Sequence, residues 1–211
     1  MAEKIYDYSL TTLQRVKDRM NITVSDNDAV LQRFINAATD YIESNCGRRF
    51  KSASYVEVQS VLGNAQEYLN LKQAPVSALT NLEYRAGVPS APAWTPFIAD
   101  QYELVEDGES GLVRIYGTFA PVAYSGTNAI RATYTAGYLF DFANFGDPAH
   151  HNLPADLTDL CERMVVRFWK KREKPGVQSE SIRDSSITWK DTVDEDDEDI
   201  LARYTRPQRF V

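Results

Sequence analysis

Six consecutive carboxylates, Asp194, Glu195, Asp196, Asp197, Glu198 and Asp199, form the densest group of chemically capable side chains in the chain. Such a run could hold a divalent cation, form a disordered acidic tail, or favour the start of a helix. A calcium loop needs oxygen ligands at alternate positions, a glycine for its sharp turn and a closing glutamate. The run has no glycine and no glutamate at the closing position, and six adjacent side chains on a regular backbone cannot converge on one ion. No metal site is expected here.

The other candidates for chemistry are few. His150 and His151 are adjacent, so their side chains cannot share a helix face, and no acid or cysteine stands at ligand spacing on a helix beside them. They are expected in a loop. Cys46 and Cys161 fall inside helical apolar patterns and are read as buried thiols. There is no Gly-x-Ser-x-Gly, no Walker A sequence and no Gly-x-Gly-x-x-Gly. The expectation is therefore no enzyme, no catalytic residue and no cofactor. Trp94 and the many tyrosines leave one alternative, a small ligand- or carbohydrate-binding β module with helical support.

Charge narrows the partners. With 23 basic and 30 acidic residues the net charge is −7, which argues against gripping DNA by neutralising phosphates. It is compatible with surrounding DNA without holding it. A chain of 211 residues fits one domain, or one with a large insertion. No run approaches the length that crosses a bilayer, and the opening MAEKIYDYSL has no signal-peptide core, so synthesis in the cytoplasm is expected.

The elements that must position these residues fall into blocks. Thr11 with Gln14 makes a capping-box pattern, followed by Leu13, Val16 and Met20 at helical spacing. Ser25 with Asp28 opens a second helix, whose stripe is Val30, Leu31, Phe34, Ile35, Ala38, Tyr41 and Ile42, stopped by Gly47. The period then changes to two. Tyr55–Leu62, Tyr68–Leu71, Leu79–Tyr84, Tyr102–Val105, Leu112–Tyr116 and Ile130–Tyr134 read as strands, separated by Gly63-Asn64, Asp107-Gly108 with Gly111, and Gly126. Leu104 to Tyr116 reads as a hairpin, and the proline-rich stretch from Gly87 to Pro96 as an exposed loop.

Helix returns after Pro154, with Leu157, Leu160, Cys161, Met164, Val165 and Phe168 on one face and Lys174-Pro175-Gly176 as its stop. A polar stretch without periodicity, VQSESIRDSSITWKDT, leads to the acidic run. Ile200, Leu201 and Tyr204 then suggest a two-turn helix, its acids at the start and Arg203 and Arg206 at the end suiting the macrodipole. Two turns are unstable alone, so this helix must dock on its own core or on another chain.

The expected fold class is α+β. It is divided into an N-terminal helical part (1–52), a β-rich insertion (53–138), a long helix with polar loop completing the helical core (139–193), and a terminal short helix and tail (194–211).

Five segments in order carry a family likeness. They are the leader LTTLQRVKDRMNITVSDNDAVLQRFINAATDYIESNCGRRF, then LNLKQAPVSAL, IRATYTAGY with LPADL, KPGVQSESIRDSSITW, and ILARYTRP. Together they resemble the head–tail connector (adaptor) proteins of tailed bacteriophages. Gly87–Pro96 and Phe140–His151 fit that pattern less well.

The resemblance implies a non-enzymatic virion protein of the neck, between capsid and tail. It would form a homo-oligomeric ring, commonly of twelve subunits, beneath the portal. Such a ring extends the DNA channel, lets duplex DNA pass without tight binding, and offers a platform to the stopper or tail-completion protein. On this basis Ile200, Leu201 and Tyr204 are expected as apolar anchors on the portal, with Arg203, Arg206 and Arg209 meeting its acidic groups. The acidic run is expected either to cap a helix or to face the channel.

Overall fold

The computed structural model describes residues 4–60, 67–88, 91–116, 130–173, 179–182, 185–188 and 194–205. It divides into a helical unit, built from the chain up to Arg48 and again from Leu139, and a β unit from Arg49 to Tyr138. The α+β class is as expected.

In the helical unit, α1 spans Leu13–Met20 and α2 spans Asp28–Cys46. The first cap lies one residue later than the capping-box pattern suggests. Thr12, in extended backbone, accepts the Arg15 N–H at 3.4 Å, while the Thr11 hydroxyl is buried and donates to Glu162 at 3.0 Å. The second helix likewise starts from Asn27, and the Ser25 carbonyl accepts the Asp28 N–H. Asn21 and Gly47, both left-handed, close the two helices, Gly47 as expected.

Helix α3, Ala155–Glu173, packs on α2, and its Leu157, Leu160, Cys161, Met164 and Val165 are fully buried, as are Leu31, Ile35, Ala38 and Ile42 of α2. Polar residues also occupy that core. Asn36 accepts the Tyr6 N–H at 3.0 Å and donates to the Lys4 carbonyl at 3.1 Å, and the Thr39 hydroxyl accepts the Leu10 N–H at 3.2 Å. These bonds tie the segment before α1 to α2 and satisfy backbone groups that have no helix or sheet of their own.

The polar stretch before the acidic run differs from its reading as a loop. Ser179–Ile182 (β8) and Ser185–Thr188 (β9) pair antiparallel as a hairpin. Four-residue arms made largely of serine and threonine carry no alternation of hydrophobicity to announce them. The expected stop at Lys174-Pro175-Gly176 lies outside the described residues, as do Gly63-Asn64 and Gly126.

The β unit contains β1 (Ala53–Gln59), β2 (Tyr68–Asn70), β3 (Val76–Val88), β4 (Ala91–Pro96), β5 (Tyr102–Leu104), β6 (Leu112–Ile115) and β7 (Ile130–Ala136). They form a four-stranded antiparallel sheet, β1-β7-β3-β4, and a three-stranded one, β2-β6-β5. Two-fold alternation places Ile130, Ala132, Tyr134 and Ala136 of β7 in the core with Leu69, Leu82, Val113 and Ile115. The expected hairpin from Leu104 is present, and its turn is unusual: Glu106, Asp107, Gly108 and Gly111 all have φ between 50° and 88°.

The stretch from Gly87 to Pro96 is not a loop. Its described residues, 87–88 and 91–96, complete β3 and form β4, which pair with each other. An edge strand tolerates proline because one side of its backbone bonds no neighbour, and the prolines had hidden it. Trp94 is half-buried, with the Arg131 guanidinium 4.6 Å from its ring centre.

Candidate interaction site

Helix α4, Glu195–Tyr204, opens on five acids, and its start is held by charge. Asp194 is its N-cap: its carboxylate accepts the Asp197 N–H at 3.1 Å, while Asp197 accepts the Asp194 N–H at 3.4 Å. This reciprocal box satisfies two backbone donors that a helix start leaves open.

The same two acids face arginines one turn apart on α3. Arg167 pairs with Asp194 at 2.6 Å and, through its other terminal nitrogen, with Asp197. Arg163 approaches Asp197 at 2.9 Å, as an ion pair rather than an aligned hydrogen bond. Asp197 has no exposed surface. Partial burial would raise the Asp194 carboxyl, but the Asp197 N–H and the Arg167 and Arg163 charges outweigh it and hold Asp194 below the ordinary carboxylate value.

Of the six acids, therefore, Asp194 and Asp197 work inside the fold, and Glu195, Asp196, Glu198 and Asp199 are exposed. The apolar face follows at once. Ile200 and Leu201 are 8% and 7% exposed, and α4 packs on α2 and α3. The residues expected to anchor on a partner thus fill the chain's own core. Tyr204 donates to Asp156 at 2.7 Å, beside Arg203, whose guanidinium is 3.5 Å from the same carboxylate and 64% exposed. The Arg48 guanidinium lies 5.7 Å from the Tyr204 ring centre. Arg206 and Arg209 lie outside the described residues.

Sequence reasoning misses Arg163 and Arg167 as partners of the acidic run. The available signal was spacing: arginines at i and i+4 on α3 match acids at i and i+3 on α4. The ion pairs continue along α3. Glu162, buried, accepts from Thr11, from Arg15 at 2.9 Å and from Arg19 at 3.2 Å, and Arg19 reaches Asp159 at 2.6 Å. Charges on α3 thus tie down both α1, through Asp159 and Glu162, and α4, through Asp156, Arg163 and Arg167.

The remaining candidates for chemistry are packed. Cys46 and Cys161 are buried free thiols; burial raises both, Cys161 to about 12, far from a reactive thiolate. Among the described residues no group of three His, Cys, Asp or Glu is placed to hold a metal ion. Among them, too, no helix is long and apolar enough to cross a membrane. A sugar platform needs an open ring face, and Arg131 covers one of Trp94's.

Residues 10–76 match a model of the phage gp6-like head–tail connector protein family, a stretch covering α1, α2, β1, β2 and the first residue of β3. None of the curated proteins matches the chain. Two solved structures share its fold throughout. A chain from the neck of a native gene transfer agent particle, computed with C12 symmetry, has a TM-score of 0.57. A chain from the neck of the empty particle, computed with C6 symmetry, has a TM-score of 0.56. Each is 18% identical, over 100% of this chain and 97% of the other. A chain from the whole native virion gives 0.55 over 94% and 90%. At such identity the likeness is one of fold. The sequence itself carries a family likeness over about a third of its length: residues 10–76 are similar to the phage gp6-like head–tail connector proteins.

Proposed function

We propose that the protein is a structural neck component of a phage-like particle, a connector that assembles as a homo-oligomeric ring beneath the portal. The ring extends the DNA channel and presents a platform to the stopper or tail-completion protein, without catalysing a reaction. The observation that carries this reading is the coincidence of a connector-family match at residues 10–76 with a fold shared over its full length with chains of two particle necks. The neck computed with C12 symmetry supports a ring of twelve. In this reading the protein is made in the host cytoplasm and ends in the virion.

The geometry sharpens the portal contact. Ile200 and Leu201 are engaged within the chain, so portal docking falls to the exposed Arg203, to the tail carrying Arg206 and Arg209, and to the outer part of Tyr204. The four exposed acids of α4, with a net charge of −7 per chain, suit a surface past which duplex DNA slides unheld.

Co-purification with the cognate portal protein followed by negative-stain microscopy tests the assignment. Rotationally symmetric rings seated on portal are expected; a chain that stays monomeric and ignores portal overturns it. Deleting 200–211 would be a poor docking test, because it strips Ile200 and Leu201 from the helical core. Arg203→Glu and truncation after Thr205 leave that core in place and should weaken portal binding.

A further inference from the structure

Residues 139–152 form a closed loop on the helical unit. Leu139 N–H donates to the Asn152 side chain at 2.6 Å, Asn152 N–H donates to the Leu139 carbonyl at 3.2 Å, and Phe140 bridges His151. Residues 143–150 are exposed, whereas His151 is 6% exposed. Its ring lies 4.7 Å from Phe142 and 5.0 Å from Phe145, centre to centre. Neither ring nitrogen has a hydrogen-bond partner. A neutral imidazole so placed leaves one N–H unsatisfied, whereas charging it would bury an unpaired cation at a larger cost.

The surrounding charges push the same way. From α1, the Arg15 guanidinium stacks on Phe145 at 4.7 Å and disfavours a second positive charge nearby. On α3, Glu162 is already engaged by Arg15, Arg19 and Thr11. Within the loop, Asp141 favours the charged ring but is held by Asn144 and the Ala143 N–H, and Asp147 takes His150 at 2.8 Å. Burial first, then Arg15, lowers His151 below its ordinary value, against the smaller pull of Asp141.

We propose that residues 139–152 are a proton-released flap, latched by the uncharged His151 ring packed among Phe142 and Phe145. Acidification expels the ring, opens the loop and bares the half-buried Phe142, while the rest of the helical unit stays folded. An exposed segment tied down at one buried residue opens at low cost. Because the folded value lies below the unfolded one, the latch is at full strength above pH 6.5. It weakens as pH falls below 6.5 and levels off once pH passes the folded value.

Hydrogen exchange of the full chain, corrected for intrinsic rates and read on peptides covering 139–152, tests this at pH 7.5 and 5.5. Protection there should fall several-fold on acidification in the wild type and in His150→Gln. It should stay unchanged in His151→Phe, which keeps an aromatic ring without a titrating nitrogen. Equal loss in wild type and His151→Phe overturns the proposal. If that variant does not fold, the NMR titration of His151 in the wild type decides: a value below 6.5 coupled to loop opening supports the latch, and a value at or above 6.5 removes it.

Discussion

Asp197 of α4, fully enclosed, shares the guanidinium of Arg167 on α3 with Asp194, its own helix cap. One arginine thereby fixes both the start of a ten-residue helix and its position on the helical unit. A helix of this length is marginal by itself, so this clamp and two apolar side chains decide whether it exists.

Breaking the clamp should be costly. Asp197→Ala leaves Arg167 and Arg163 without their buried partner and is expected to lose about 3–5 kcal/mol. Asp199→Ala, on the exposed side, should stay within about 0.5 kcal/mol. Urea unfolding of the two variants measures the contrast, and equal stabilities would show that the acidic run acts only through the macrodipole.

The β unit has its own sensitive point at Gly108, where φ is +88° and an added Cβ would collide with the Val76 carbonyl oxygen. Strain alone costs about 1–3 kcal/mol, and the collision adds to it. Gly47, at φ +65° with open space around its missing Cβ, is the control; Gly47→Ala should cost only about 1–2 kcal/mol. Thermal unfolding of Gly108→Ala and Gly47→Ala should therefore rank in that order.

Tyr134 buries its hydroxyl in the β unit, donating to Glu57 at 2.8 Å and accepting the Gln73 N–H at 3.2 Å. Tyr134→Phe keeps the ring but leaves the Gln73 N–H without its acceptor and takes one donor from Glu57, which keeps the Lys72 N–H at 2.9 Å, at a cost of about 1–3 kcal/mol. Chemical denaturation monitored on the β unit checks it; an unchanged midpoint would mean that Glu57 finds other donors.

Acid should destabilise the fold through Asp194 and Asp141, both held below the ordinary carboxylate value of 3.8. A depressed folded value gives stability that is complete above the unfolded value and lost as pH falls through the folded one. Melting temperature should thus fall below about pH 4, separately from any His151 effect near pH 6.5. Asp194→Asn should flatten the acid limb. Because that side chain is 39% exposed, added salt should flatten it too.

Local patterns were legible in proportion to how far burial follows a period. The stripe of α2 and the alternation of β7 repeat every 3.6 and every two residues because one face of each meets a core, and both elements stand where the pattern puts them. The helix caps slipped by one or two residues, since Thr11 and Thr12 are equally good caps until Glu162 claims one hydroxyl. Strand β4 was illegible because its prolines signal a loop anywhere except an edge.

By itself the sequence determined the class of fold, the order of the helices and of six strands, and the connector likeness, all of which rest on spacing along the chain. Tertiary structure alone decided which of six equivalent carboxylates meet arginine, that Ile200 and Leu201 face inward, and that His151 rather than His150 is enclosed. The physical reason is the same in each case. Adjacent residues of one type are chemically interchangeable, and only the approach of a distant segment, 27 to 30 residues away for Arg167, makes their surroundings differ.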